Sequence, residues 1–446
     1  WVKAGSNAFL GTCRKLHDFV TLSSENLLFM GTEKKAYLED SGSLYDITPI
    51  RRTVTLGSNP LNTSGGAGSG IITVSDNGHG ITVGSYVTFS GATAFDGLTT
   101  ANLNKEQVVT QVVDANSYKI NTGGSASSGS TAGGGSSVVA AYQINIGLNS
   151  TVLGSGWGAG TWGRFTWGSG AGSLAGQTLR LWFADDFGED LLMNIADQGI
   201  YYWDASNNTS TRAVALSSLS GASNVPTVAR KILVSEVDRH ILCFGANPLG
   251  ETTQDPLLIR WSSQESLTDW TPSATNTAGD IRLSQGSEIV TAIRTSRQIL
   301  VWTDHSLHSI QFLGPPYTFG TAMLGDNIRI AGPNTVVSVN DIVYWMGQEN
   351  FYLYDGRIQP IPCTVRDYVF SDINRNQSFK FHCGSLASQS EVWWYYCSAS
   401  SEEIDSYVVY NYLEQTWVYG KLARTAWNDS PLRPYPQAVG GAEGSQ

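Results

Sequence analysis

The sequence predicts an all-β protein: a β-propeller of about six blade-like units, with a small β-barrel or sandwich domain inserted after the first. Three observations predict it. Charged residues make up 15% of the chain, against about 25% in an average soluble protein. Glycine contributes 48 of 446 residues, with 14 Trp and 19 Tyr beside it, the balance of a chain built from tight turns and aromatic, sheet-packing side chains. Short strand pairs also recur, the last four at spacings of roughly 40–57 residues, near the period of four-stranded propeller blades.

The units run in order. In the first, residues 26–49, NLLFMGTEKKAYLED reads as two strands around a Gly-Thr turn. The second spans 191–206, the third 239–270, the fourth 289–314, the fifth 335–361 and the sixth 391–420. Most share one plan: an apolar strand of four to six residues, a polar turn, then a strand rich in aromatics. An acidic or amide residue often follows, as in Tyr45-Asp46, Trp203-Asp204, Tyr354-Asp355 and Tyr410-Asn411. Closing such units into a circle protects their sheet edges. A pair of ordinary β-sandwiches would show the same strands but not the repetition. One helix is expected after a capping-box-like spacing at Thr364–Asp367.

The long interval after the first unit has its own character. Residues 70–121 carry four or five alternating strands with Asn-Gly and Gly-Ser punctuation. GGSASSGSTAGGGSS (123–137) reads as a flexible linker. In 154–172, Trp157, Trp162 and Trp167 recur every five residues among glycines. That spacing fits neither a helix nor a strand, so an irregular loop is expected, whose tryptophans need a surface to cover them. The resulting division is an N-terminal segment with the first unit (1–51), an inserted β domain with its linker (52–136), a Gly/Trp-rich connecting loop (137–180), and the remaining units (181–446).

The net charge of −11 argues against a sequence-reading nucleic-acid binder, which needs cations to neutralise phosphates. Five scattered cysteines (13, 243, 363, 383, 397) fit neither a disulfide framework nor a zinc site and read as buried thiols. No apolar run approaches the roughly 18 residues of a membrane span. The chain starts at Trp1 without a signal peptide or initiator Met, which reads as a trimmed or partial version of a longer one. Carboxylates cluster in ADDFGED (184–190), where Asp185, Asp186, Glu189 and Asp190 are read as a solvated turn. SDNGHG (75–80) is read as an Asn-Gly hairpin turn. His305 and His308 are placed on opposite strand faces. No nucleophile elbow, P-loop or His-Glu-x-x-His motif occurs. The expectation is therefore no catalytic residue, cofactor or metal.

Six strings in one order, LYDITPIRR, GHGITVGSYVTFSGA, GWGAGTWG, LRLWFADDFGEDLL, IYYWD and IRWSSQESLTDWTP, resemble the tail nozzle proteins of short-tailed phages, also called tail tubular or packaged-DNA stabilization proteins. The resemblance runs from about Leu27 to Gly420. It implies a non-enzymatic virion subunit of the tail, assembled in the host cytoplasm as a homo-oligomeric, hexameric ring. The ring would contact an adaptor ring and tail fibre or spike proteins. Double-stranded DNA would pass through it without sequence recognition, retained until infection. The alternative from residues alone is a carbohydrate-binding or carbohydrate-active propeller, since glycan sites use tryptophans and paired acids. The Asp-box repeat of sialidase propellers is absent.

Overall fold

The computed structural model describes residues 8–151, 179–235, 237–314 and 317–440. They form two compact units. The first comprises Trp1–Asp46, Leu148–Thr211 and Ala215–Gln446, the second Ile47–Gly147 with Arg212–Val214.

The first unit is a six-bladed β-propeller. Each blade is a four-stranded sheet whose strands neighbour one another in chain order: 13–46, 182–215, 231–282, 289–326, 336–360 and 382–421. The innermost strands are Cys13–Val20, Trp182–Phe187, Lys231–Val234, Ile289–Arg294, Val336–Val339 and His382–Leu386. Each touches the next around the ring. A two-stranded sheet, Arg424–Asn428 with Gln437–Gly440, stands between the sixth blade and the first and contacts the inner strand of both.

Apolar side chains on facing sheets explain the seams. Leu242, Phe244 and Ile259 of blade 3 join Ala292, Val301 and Ile310 of blade 4 in one cluster. Trp302 of blade 4 meets Trp345 of blade 5 edge to face at 5.4 Å, the arrangement the ring quadrupoles favour. Phe351 of blade 5 lies 4.9 Å from Trp394 of blade 6. Trp182 of blade 2 donates its indole N–H to the Thr32 carbonyl of blade 1 at 2.7 Å. Its ring occupies the space a Cβ on Gly31 would need. Gly384 makes the same room for Trp427 at the closing hairpin. That hairpin supplies Ala426 and Val439 to a core with Leu16, Leu28 and Met30 of blade 1. The seams are therefore made mostly of aromatics and β-branched residues, which is why their density in the sequence predicts the fold.

The second unit is an eight-stranded antiparallel sheet around a single core that includes Leu61, Val74, Val87, Val109, Tyr118 and Tyr142. Its limits differ from 52–136. The strand Ile50–Thr55 belongs to it and pairs with Val139–Gln143, so both boundaries shift outward. Residues 123–137 are not a linker. Ala126 is buried, and Ala132–Gly133 pairs with Leu61–Thr63. Small residues lie close-packed there, and composition alone does not separate that from flexibility.

Other local expectations are also corrected. The strand before Asn77-Gly78, Ile71–Ser75, pairs with Leu61–Thr63 and Ser117–Asn121, so this dipeptide closes no hairpin. The helix near Thr364 forms as Arg366–Ser371, but its N-cap is Val365 with no side-chain cap. A true capping box sits on Thr100–Leu103, where Thr99 and Asn102 exchange hydrogen bonds. The Gly/Trp segment with Trp157, Trp162 and Trp167 lies outside the described residues.

Candidate functional site

The inner strands of all six blades and the closing hairpin line a cavity of about 280 Å³ on the propeller axis. Blade 1 contributes Arg14, Lys15 and His17; blade 2, Asp185; blade 3, Lys231; blade 4, Arg294. Asn334 precedes the inner strand of blade 5, and His382 begins that of blade 6. Among the described residues, four cations thus share the lining with one carboxylate.

Some of these charges are matched. Asp185 is 3% exposed. It accepts from Arg294 Nη1 at 2.9 and 3.0 Å and from the Val234 backbone N–H at 2.8 Å. Arg14 donates to both carboxylate oxygens of Glu403 at 3.0 and 2.6 Å, and to the Asn149 side chain at 2.7 Å. Lys380 reaches the same Glu403 at 3.2 Å. Burial raises the Glu403 carboxyl, but Arg14 and Lys380 outweigh it and hold it below the usual range. These pairs tie blade 1 to blade 6, and blade 2 to blades 3 and 4.

Lys15 and Lys231 are not matched in this way. Both keep some accessible surface, facing the cavity, with protein around them on all sides. Lys231 donates to Thr291 Oγ1 at 3.0 Å and rests over the Phe183 ring at 4.9 Å. Lys15 Nζ makes no hydrogen bond to the described residues. Burial first, and Lys15 second, push the Lys231 ammonium down to about 7. Burial likewise lowers Lys15. His382 is 5% exposed and stacked on Tyr395 at 4.8 Å, and neither ring nitrogen meets hydrogen-bonding geometry. Burial pushes it down to about 4, which keeps the ring neutral at physiological pH.

The acidic run in blade 2 is not the solvated turn expected for it. Asp185 and Asp186 lie on the inner strand, and only Gly188 and Glu189 make the turn. Glu189 accepts from the Leu22 N–H at 3.0 Å, while Asp190 accepts from the Tyr202 hydroxyl at 2.7 Å. The four acids therefore do not converge. His17, Asp185 and Asp186 do bring one ligand atom each within 4.8 Å of one another. Asp185 is already bonded to a guanidinium and a backbone N–H, so its carboxylate is committed to the ion pair with Arg294. His305 sits in a turn 3.6 Å from Asp326, and His308 is buried against Ser306 at 2.8 Å. All five cysteines are free.

The residues that sequence reasoning missed are Arg14, Lys15, His17, Lys231 and Arg294. Their signal is a basic side chain inside a short apolar strand just upstream of a recognised hairpin, as in CRKLHDFV and KILV.

No family model and no curated protein matches the sequence. Among solved structures, the chain is similar to the phage phi92 endosialidase, with 10% identity over 86% of this chain and 53% of that one and a TM-score of 0.22. It therefore spans about half the endosialidase's length. It is also similar to BamB from Moraxella catarrhalis, with 12% identity over 59% of this chain and 80% of that one and a TM-score of 0.31. A fungal alcohol oxidase of the AA5 family, solved in complex with copper, has 8% identity over 84% and 67% and a TM-score of 0.34.

Proposed function

We propose that the chain is a structural subunit of a short-tailed phage tail nozzle, assembling as a hexameric ring that retains packaged DNA and lets it pass at infection. The observation that carries this reading is the interruption of a six-bladed propeller by a compact β unit directly after blade 1. The same chain bears, in order, the six strings that resemble nozzle proteins. A cavity of about 280 Å³ admits no duplex, whose major groove alone is about 12 Å wide. In this reading the conduit runs between subunits and not along the propeller axis. Each subunit brings a net charge of −11. A wall of that sign repels phosphates and keeps sliding friction low, so retention comes from a constriction and not from affinity.

Electron microscopy of the purified full chain tests the proposal. A six-fold ring without salt-sensitive binding to linear duplex DNA is the expected result. A monomer that binds glycans instead would overturn it in favour of the carbohydrate reading. Trp157, Trp162 and Trp167 belong to the same proposal as subunit or adaptor contacts, and replacing all three by Ser is expected to weaken ring assembly.

A further inference from the structure

We infer that the axial cavity of the propeller is a binding site for a small tetrahedral oxyanion of the phosphate or sulfate class, held between Lys15 and Lys231 and capped by the donors of Asn334 and His382. Four observations converge on it. The cavity is large enough, at about 280 Å³, since one water occupies about 30 Å³ of liquid and an oxyanion of five heavy atoms takes a few times that. Its lining is cationic, and the two lysines are the charges without a carboxylate bonded to them. An ammonium has three donors. Lys231 uses one on Thr291, and Lys15 uses none on the described residues. The donors also stand on blades 1, 3 and 6 and in the segment entering blade 5, an arrangement suited to an acceptor with several oxygens.

His382 is the independent sign of a ligand. It is 5% exposed, and neither ring nitrogen meets hydrogen-bonding geometry, although the Lys380 carbonyl lies near the ring; a buried polar group left so costs stability. Its neutral ring has a single N–H to donate. The side-chain amide of Asn334 also makes no hydrogen bond to the described residues. Metal cations are disfavoured there by the same charges, and a duplex is too wide. The bound anion would cancel the repulsion between Lys15 and Lys231 and bridge blades across the axis, stabilising the ring by mass action.

The groups facing Lys231 set the pH dependence. They are Arg14, Lys15 and His17 from blade 1, Asp185 from blade 2, Arg294 from blade 4, and His382 and Cys383 from blade 6, with Asp18 beside Lys15 and Asp186 beside His17. Burial and Lys15 hold Lys231 down to about 7, so the site is strongest on the acid side. Sulfate is the useful probe because it stays doubly charged throughout.

The test is calorimetric titration and thermal melting of the full chain with sodium sulfate, inorganic phosphate and glycerol 3-phosphate, against sodium chloride of equal ionic strength. Sulfate is expected to raise the melting temperature and to bind about tenfold more tightly near pH 6 than near pH 8.5. Lys15→Met and Lys231→Met are each expected to weaken it by about tenfold or more. Lys231→Met removes a buried charge and should melt no lower than the parent, so lost binding in it is not lost folding. Binding of phosphate but not glycerol 3-phosphate would identify a bare inorganic ion as the occupant. Binding of both would identify a phosphorylated small molecule as admissible. Absence of binding by all three at about 10 mM, where even a millimolar site is mostly filled, would overturn the inference. So would equal sulfate affinity in both lysine variants.

Discussion

The polar cluster around Asp76 in the inserted unit and the one on the propeller axis are satisfied to different degrees. In the insert, Asp76 accepts from Arg52 at 2.8 and 3.0 Å and from the Tyr142 hydroxyl at 2.6 Å, and Tyr142 in turn bonds Tyr118 at 3.0 Å. His79 uses both ring nitrogens, one toward the Asp114 carbonyl at 2.9 Å and the other accepting from the Ile81 N–H at 3.1 Å. The chain is closed, and burial raises both tyrosine hydroxyls so that they stay protonated. On the propeller axis, Lys15 and Lys231 line the cavity with donors left over, and neither His382 nitrogen meets hydrogen-bonding geometry. A closed network fixes one packing. An open one costs stability and is retained where a ligand or partner can complete it.

The contrast breaks most visibly at Asp76. Asp76→Ala leaves the Tyr142 hydroxyl and the Arg52 guanidinium without their acceptor, a loss of about 3 kcal/mol. All 14 tryptophans lie outside residues 47–147, so tryptophan fluorescence does not report on the insert. The expected outcome is lower hydrogen-exchange protection in the insert with an unmoved fluorescence transition. A fluorescence midpoint that shifts with it would mean that the two units unfold together.

Lys231→Met is expected to act in the opposite direction. Lys231 is held below its unfolded value, so its proton is a cost to the fold at acid pH. Between about 7 and the ordinary 10.5 the folded chain has shed that proton and the unfolded chain keeps it, so the wild type gains stability as pH rises through that window. The methionine variant lacks the penalty and is expected to be more stable near pH 6 by on the order of 3 kcal/mol, in buffer free of oxyanions. The advantage fades toward pH 10. Denaturant midpoints across pH would show it, and a variant less stable at pH 6 would mean that Lys231 is satisfied in the fold.

The smallest effect concerns helix ends. Thr99→Ala removes a formed capping box and is expected to cost about 1 kcal/mol. Thr364→Ala sits before a helix whose cap is Val365 without a side-chain bond and should cost a few tenths at most. Equal losses in the two melts would show that the capping geometry is not what differs.

Much of this fold is legible in the sequence because the middle strands of each blade are buried on both faces. ILCF, ILVWT, IVYWM and EVWWYY are runs of apolar and aromatic residues, and their recurrence gives the ring. The inner strands escape notice for the converse reason. Lys15, His17, Asp185 and Lys231 interrupt their apolar pattern because that part of the strand faces the axial cavity. The glycine-rich stretch 123–137 misleads because close packing of small residues and flexibility have the same composition.

Composition, strand spacing and aromatic density determined an all-β repeat with a guest unit, since each is a local property of a strand or turn. Only the tertiary structure decided which charges meet. Lys15, Lys231 and His382 lie more than a hundred residues apart along the chain, and ring closure alone brings them to one cavity. Whether a buried lysine is paired or left open depends on groups from six blades converging at once, and no local pattern carries that information.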